Sequence, residues 1–251
     1  MNIKGIYRLL LIALLLLSSN RAFSQNNTIF EDDRLNYNRE IAGGFYLHNF
    51  GWGLNFMKHF HQSVNKQRYF EIQFSFSHHP KQRKVFNGFI QDSKGYYFGK
   101  LNTFFIFRGL YGKKHIIAHK IRSSGVELSY NWGIGPSFGF LKPVYLEIVD
   151  FEYGFLRVEK YDPQKHNIGN IYGRASGFKG MGELQFRPGI YLKFGLQIEY
   201  SGKKKGVTGV EAGIALDAYF QQIEIMADIE NMQFFPMIYL NFFFGKKYDK
   251  M

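Results

Sequence analysis

The 251-residue sequence has no cysteine, and only six prolines. Without thiols no disulfide can brace the fold, so stability must come from backbone pairing and burial. A lipid anchor on an N-terminal cysteine is excluded for the same reason. Beyond residue 24 no apolar run approaches the roughly 20 residues of a membrane-spanning helix. Acids are also scarce, at 20 Asp and Glu against 32 Lys and Arg, for a formal charge of +12. That balance favours anionic surfaces such as lipid headgroups. No recognition motif supports nucleic acid as a partner.

What the chain does have begins with an export signal. Lys4 and Arg8 precede the apolar run Leu9 to Leu17, and Ala22-Phe23-Ser24 places small residues before a cut at Gln25. The expectation is a cleaved secretory signal over 1–24. A periplasmic segment over 25–38 then leads into a domain over 39–248.

Aromatic residues make up 19% of the chain, and glycine is plentiful at 27. In YFEIQFSFS, residues 69–77, Phe70, Ile72, Phe74 and Phe76 alternate with Glu71, Gln73, Ser75 and Ser77. The same period of two runs through GVELSYNWGIG (125–135), GIYLKFGLQIEY (189–200) and GVEAGIALDAYF (209–220). A soluble β-sandwich alternates too. Full charges on the polar face and a large aromatic apolar face favour a transmembrane β-barrel, with Tyr and Trp available for interfacial girdles.

The pattern predicts an all-β, closed antiparallel transmembrane barrel of eight strands, near 39–48, 51–60, 68–77, 96–108, 125–147, 184–200, 206–220 and 235–246. Ten strands remain open, because HIIAHKI (115–121) sits in an otherwise overlong link at 109–124. An even count puts both ends of the barrel on the periplasmic side. The outer connections are then Asn49-Phe50, 78–95, a long folded extracellular loop at 148–183, and 221–234.

An eight-stranded barrel is only wide enough for its own side chains. The inward set is expected to be Glu71, Gln73, Lys100, Asn102, Arg108, Glu127, Asn131, Lys193, Gln197, Glu199, Glu211 and Asp217. Mixed signs suit an interior filled by ion pairs rather than a selective pore.

The candidates for chemistry are Ser77, His78 and His79 at a strand end and Asp162 with His166 in the long loop. A Ser-His-acid relay needs mutual hydrogen-bond reach, and no nucleophile elbow is present. No HExxH or calcium-loop pattern occurs. The reading is therefore non-enzymatic, with no catalytic, cofactor or metal residues assigned. In the long loop, Arg157, Tyr161, Asp162, His166, Tyr172 and Arg174 are the candidate partner-binding residues, since Tyr and Arg favour protein-binding hot spots. The same residues could instead fold the loop down as a cap.

KPVYLEI (142–148), EKYDPQKHNIGNIYGRA (159–175) and FGKKY (244–248) resemble blocks in a family of small, mostly uncharacterised outer-membrane β-barrels of Bacteroidota-type Gram-negative bacteria. GWGLNF (51–56), HPK (79–81) and YFGKLN (97–102) do so as well. The resemblance implies residence in the cell outer membrane, among its lipids. It also suggests an accessory or docking subunit of an envelope complex for protein assembly or secretion, with protein partners. The alternatives are a small-solute channel and a lipid-modifying enzyme at the outer rim.

Overall fold

The computed structural model describes residues 39–90, 92–119, 125–151, 154–200 and 206–248. The expected signal and the segment at 25–38 lie outside the described residues, as does the link at 201–205. The strands are β1 (Arg39–His48), β2 (Gly51–Ser63), β3 (Lys66–Ser77), β4 (Lys84–Val85), β5 (Tyr96–Tyr97), β6 (Asn102–Ala118) and β7 (Val126–Pro143). They continue as β8 (Tyr145–Asp150), β9 (Phe155–Lys160), β10 (Ile171–Arg174), β11 (Gln185–Tyr200), β12 (Gly206–Tyr219) and β13 (Phe234–Tyr248).

Eight of these close into a barrel in the order β1-β13-β12-β11-β7-β6-β3-β2. Once the loop strands are set aside this is a meander, and β1 closes on β13 with Arg39 opposite Tyr248. The strand starts and ends define two rims. The near rim holds the start of β1, the end of β13 and the short link at Val64-Asn65. The far rim holds the long connections.

Eight strands are therefore found, and ten are not. His115 to Ala118 prolong β6 instead of starting another strand, with a register shift between Ile116 and Ala118. Two expected boundaries move. The strand expected from 96 begins at Asn102, because Gly99 takes a left-handed φ of 76° and Tyr96–Tyr97 pair with Lys84–Val85. The strand expected to run to 147 leaves the barrel at Pro143, and Tyr145–Asp150 pair with β9 instead.

The alternation resolves as an inside-out molecule. Phe70, Ile72 and Phe76 are exposed on the outer face, while Glu71, Gln73, Ser75 and Ser77 are buried within. Ile190, Leu192, Phe194, Leu196, Ile198 and Tyr200 likewise line the outside of β11. The expected inward set is buried, with one correction. Lys100 lies in the β5–β6 loop, half-buried, because the strand starts two residues after it. The tyrosines divide between the two faces, with Tyr111, Tyr130 and Tyr200 outward. Tyr46, Tyr69, Tyr191, Tyr219 and Tyr239 point inward instead of joining a girdle. Glycines make room for them. A Cβ on Gly112 would meet the Tyr69 ring at 2.4 Å, and one on Gly189 would meet the Tyr219 ring at 2.7 Å.

Candidate functional site

Three layers of charge fill the barrel. Towards the far rim, the Arg108 guanidinium donates to both Asp217 carboxylate oxygens, to Gln73 Oε1 at 3.2 Å and to the Tyr46 hydroxyl. It also lies 4.4 Å from the Tyr191 ring centroid. In the middle, Lys193 Nζ sits 2.7 Å from Glu71 Oε2 and 3.0 Å from Glu211 Oε1. Towards the near rim, Lys114 Nζ lies 3.1 Å from Glu127 Oε1 and 3.2 Å from Glu199 Oε2. Lys247 and the Glu40–His59 contact complete that layer. Buried charges persist only when paired and hydrogen-bonded, and the three layers draw on all eight barrel strands.

Above the charges the far mouth is stopped by an apolar plug from the β12–β13 connection. Ile223, Ile225 and Met226 are buried against Phe50, Phe104 and Phe235. The plug is tied down through its backbone. Leu101 and Asn102 N–H both donate to the Ile225 carbonyl, and Ala227 N–H donates to Gly99 O at 2.7 Å. Lys100 sits at this junction, where burial and the Lys142 charge lower its pKa from the usual lysine value to about 8.

Beyond the plug, the long β7–β11 connection folds into a small sheet in the order β10-β8-β9. It has its own core, in which Tyr96, Leu146, Ile148, Tyr161 and Ile171 pack together. Asn87 fastens it by donating from Nδ2 to Ile171 O at 2.8 Å and Gly169 O at 3.3 Å. A salt bridge from Lys94 to Glu147 adds a second tie at 2.9 Å.

The six candidate loop residues divide by this packing. Tyr161 and His166 are buried within the sheet's own fold. His166 Nδ1 accepts from the Asp162 N–H at 3.0 Å, and its Nε2 lies 3.3 Å from Glu159 Oε2. Asp162 caps its own turn by accepting from Gln164 N–H. Arg157 pairs with Asp150 at 2.7 Å while staying on the surface. Tyr172 is half-buried beneath Lys94, whose Nζ is 5.8 Å from the ring. Arg174 is exposed. These six residues therefore do not converge on one patch.

The exposed apolar surface of this sheet lies on β9, the strand that also carries the candidate residue Arg157. β9 is an edge, with β8 as its strand neighbour. Phe155, Leu156 and Val158 are 48%, 47% and 46% exposed. The signal was present in FLRVEK as β-branched and aromatic residues in a loop.

The histidines reach no relay among the described residues. His79 is buried and its Nδ1 accepts from Lys81 N–H at 3.2 Å, while burial holds its pKa below the ordinary histidine value. His78 points the other way, to solvent. A serine and a histidine do meet elsewhere, Ser75 Oγ with His48 Nε2 at 2.8 Å. Both are sealed in the lumen, and His48 Nδ1 has no hydrogen-bond partner there.

No protein-family model matches the chain, and no curated protein does. Among solved structures it is similar to Ail, the attachment invasion locus protein of Yersinia pestis, at 9% identity and a TM-score of 0.40, covering 85% of this chain and 99% of that one. The N-terminal β-barrel domain of Pseudomonas aeruginosa OprF gives 4% identity and a TM-score of 0.40, over 84% and 98%. Neisserial surface protein A gives 7% and 0.36, over 83% and 93%. Likenesses this distant say nothing of activity.

Proposed function

We propose that this chain is an integral outer-membrane barrel whose far-rim sheet docks a partner protein, as an accessory subunit of an envelope assembly or secretion complex. The barrel's outer face is apolar through the middle of every strand, which suits hydrocarbon and not water. Short links fall at the near rim and long ones at the far rim, so the far rim faces outward and the near rim faces the periplasm.

The observation that carries the docking reading is β9. A soluble edge strand is normally shortened, charged or covered, because its free N–H and C=O groups template another strand. β9 keeps three large apolar side chains in the open on a sheet that is otherwise packed and fastened. That combination fits β-strand addition, in which backbone pairing supplies affinity and alternate side chains supply specificity.

The plug disfavours the channel reading, and the scattered histidines disfavour a rim enzyme. The test is affinity capture of the tagged chain from native membranes in mild detergent, with Val158→Pro in parallel. Proline removes an edge donor and cannot pair. A stoichiometric partner held by the wild type and lost by Val158→Pro supports docking through β9. A chain that purifies alone and monodisperse would rule it out.

A further inference from the structure

The near rim carries a feature that neither the charge layers nor β9 explains. On its outer face, Arg39 stands opposite Phe60 across β1–β2, Phe60 opposite Arg68 across β2–β3, Arg68 opposite Lys113 across β3–β6, and Lys113 opposite Trp132 across β6–β7. This is one continuous row over five strands. A second row, one step towards the barrel's middle, places Lys58 between Ile41 and Phe70, with Lys246 beyond Ile41 on β13.

The cations lean on the aromatics of the same belt. The Arg39 guanidinium is 5.6 Å from the Phe60 ring centroid, Lys58 Nζ is also 5.6 Å from it, and Lys113 Nζ is 5.8 Å from the Trp132 ring. Among the described residues nothing anionic answers them. The outward positions of the eight barrel strands hold no Asp or Glu, and the acids at this end (Glu40, Glu127 and Glu199) are buried inside. None of Arg39, Lys58, Arg68, Lys113 or Lys246 has an ion pair among the described residues. Arg68 directly opposite Lys113 is a like-charge cross-strand pair, which is unfavourable by itself. An anion shared between the two relieves it.

We infer that this arc binds the phosphodiester headgroups of anionic phospholipid in the periplasmic leaflet. The inference rests on the membrane residence and orientation proposed above, and not on docking at β9. The aromatic rings sit where amphipathic side chains mark the hydrocarbon boundary. The cations beside them then reach the phosphate plane, where juxtamembrane basic residues attract anionic lipid. Among the described residues the arc is one-sided. At their near-rim ends β11 and β12 present Tyr200 and Thr208 on the outer face, which are uncharged.

The experiment places the full chain in phosphatidylcholine bilayers with a trace of spin-labelled phosphatidylglycerol or spin-labelled phosphatidylcholine. Electron paramagnetic resonance then reads the motionally restricted fraction of each. The expected result is a preference of about five-fold for phosphatidylglycerol. The double variant Arg68→Gln/Lys113→Gln should bring it close to one, and Lys142→Gln at the opposite rim should leave it unchanged. High salt should weaken the wild-type preference, a reading that needs no variant to fold. A restricted fraction with equal selection of both lipids overturns the inference while leaving membrane residence intact. A preference that survives the double variant overturns it as well. No restricted lipid at all would sink both this inference and the membrane reading.

Discussion

Arg108 and Asp217 meet inside the barrel with Nη2 2.5 Å from Oδ2, and neither side chain exposes any surface. The pair joins β6 to β12, strands that are not neighbours in the sheet, so it acts as a cross-brace. Removing one partner leaves the other charge buried and uncompensated, a loss of about 3–5 kcal/mol. Asp217→Asn should lower the urea midpoint of the folded barrel strongly. Arg108→Met/Asp217→Leu should recover much of that loss, since an apolar pair strands no charge. If Asp217→Asn unfolds like the wild type, the brace is not carrying load.

Ile72, halfway along β3, is 50% exposed on the outer face. A cation there would sit in hydrocarbon and cost about 2–4 kcal/mol. Ile72→Arg should therefore cut the yield of heat-modifiable barrel in membranes. Equal yield would mean that this face does not meet lipid. Next to it, the alternation suggests that Ser75→Ala should be silent. The hydrogen bond from Ser75 to His48 instead predicts a loss of about 1 kcal/mol.

Ile171 is fully buried in the core of the small far-rim sheet. Truncation to alanine should cost about 2–5 kcal/mol of that sheet's stability while leaving the barrel closed. Limited proteolysis checks both halves. Ile171→Ala should admit cleavage within 144–184, and the barrel should keep its heat-modifiable migration. Cleavage no faster than wild type would show that the sheet is held from elsewhere.

Lys100 offers a titration. Its pKa in the folded state is about 8, below the roughly 10.4 of an unfolded lysine. Between those values the unfolded chain binds more protons, so this group's contribution makes stability rise with pH across that window. Carbon-13 dimethylated Lys100 should titrate near pH 8, and Lys142→Met should move the midpoint up by removing a neighbouring positive charge. A wild-type midpoint above 10 would contradict the burial of this amine.

The barrel was legible because a period of two is hard to mistake where one face is wholly apolar, as from Phe70 to Phe76. The same parity placed Arg108, Lys193 and Asp217 inside before any contact was known. It failed at β6, where the glycine-containing stretch after Arg108 suggested a link. The strand in fact runs on to Ala118, and Lys114, which shares the parity of Arg108, was missed with it. Parity also puts Tyr69 with Glu71, Tyr191 with Lys193 and Tyr219 with Asp217 on the inward face, where they are buried. The room for their rings is made by glycines on nearby strands, such as Gly112 and Gly133 around Tyr69, and no local pattern reports that fit. The plug residues Ile223, Ile225 and Met226 read as apolar loop residues, because only the closed barrel supplies the mouth they fill. The candidate loop residues were chosen by type, and type cannot distinguish Tyr161, packed inward, from Arg174, left outside.

The β1–β13 ladder has a temporal meaning. Its register sets Glu40 beside Lys247, so it joins the first strand of the barrel to the last. Local hairpins can form as each pair of strands becomes available, but this seam has to wait for the whole meander, and long-range closure is slow. Until it zips, the lumen stands open along one side and its ion pairs cannot be shielded from the surroundings. Assembly of this molecule should therefore be rate-limited at a single late step. An agent that competes for the edge of β1 or β13 should trap an open, lipid-exposed sheet rather than a smaller barrel.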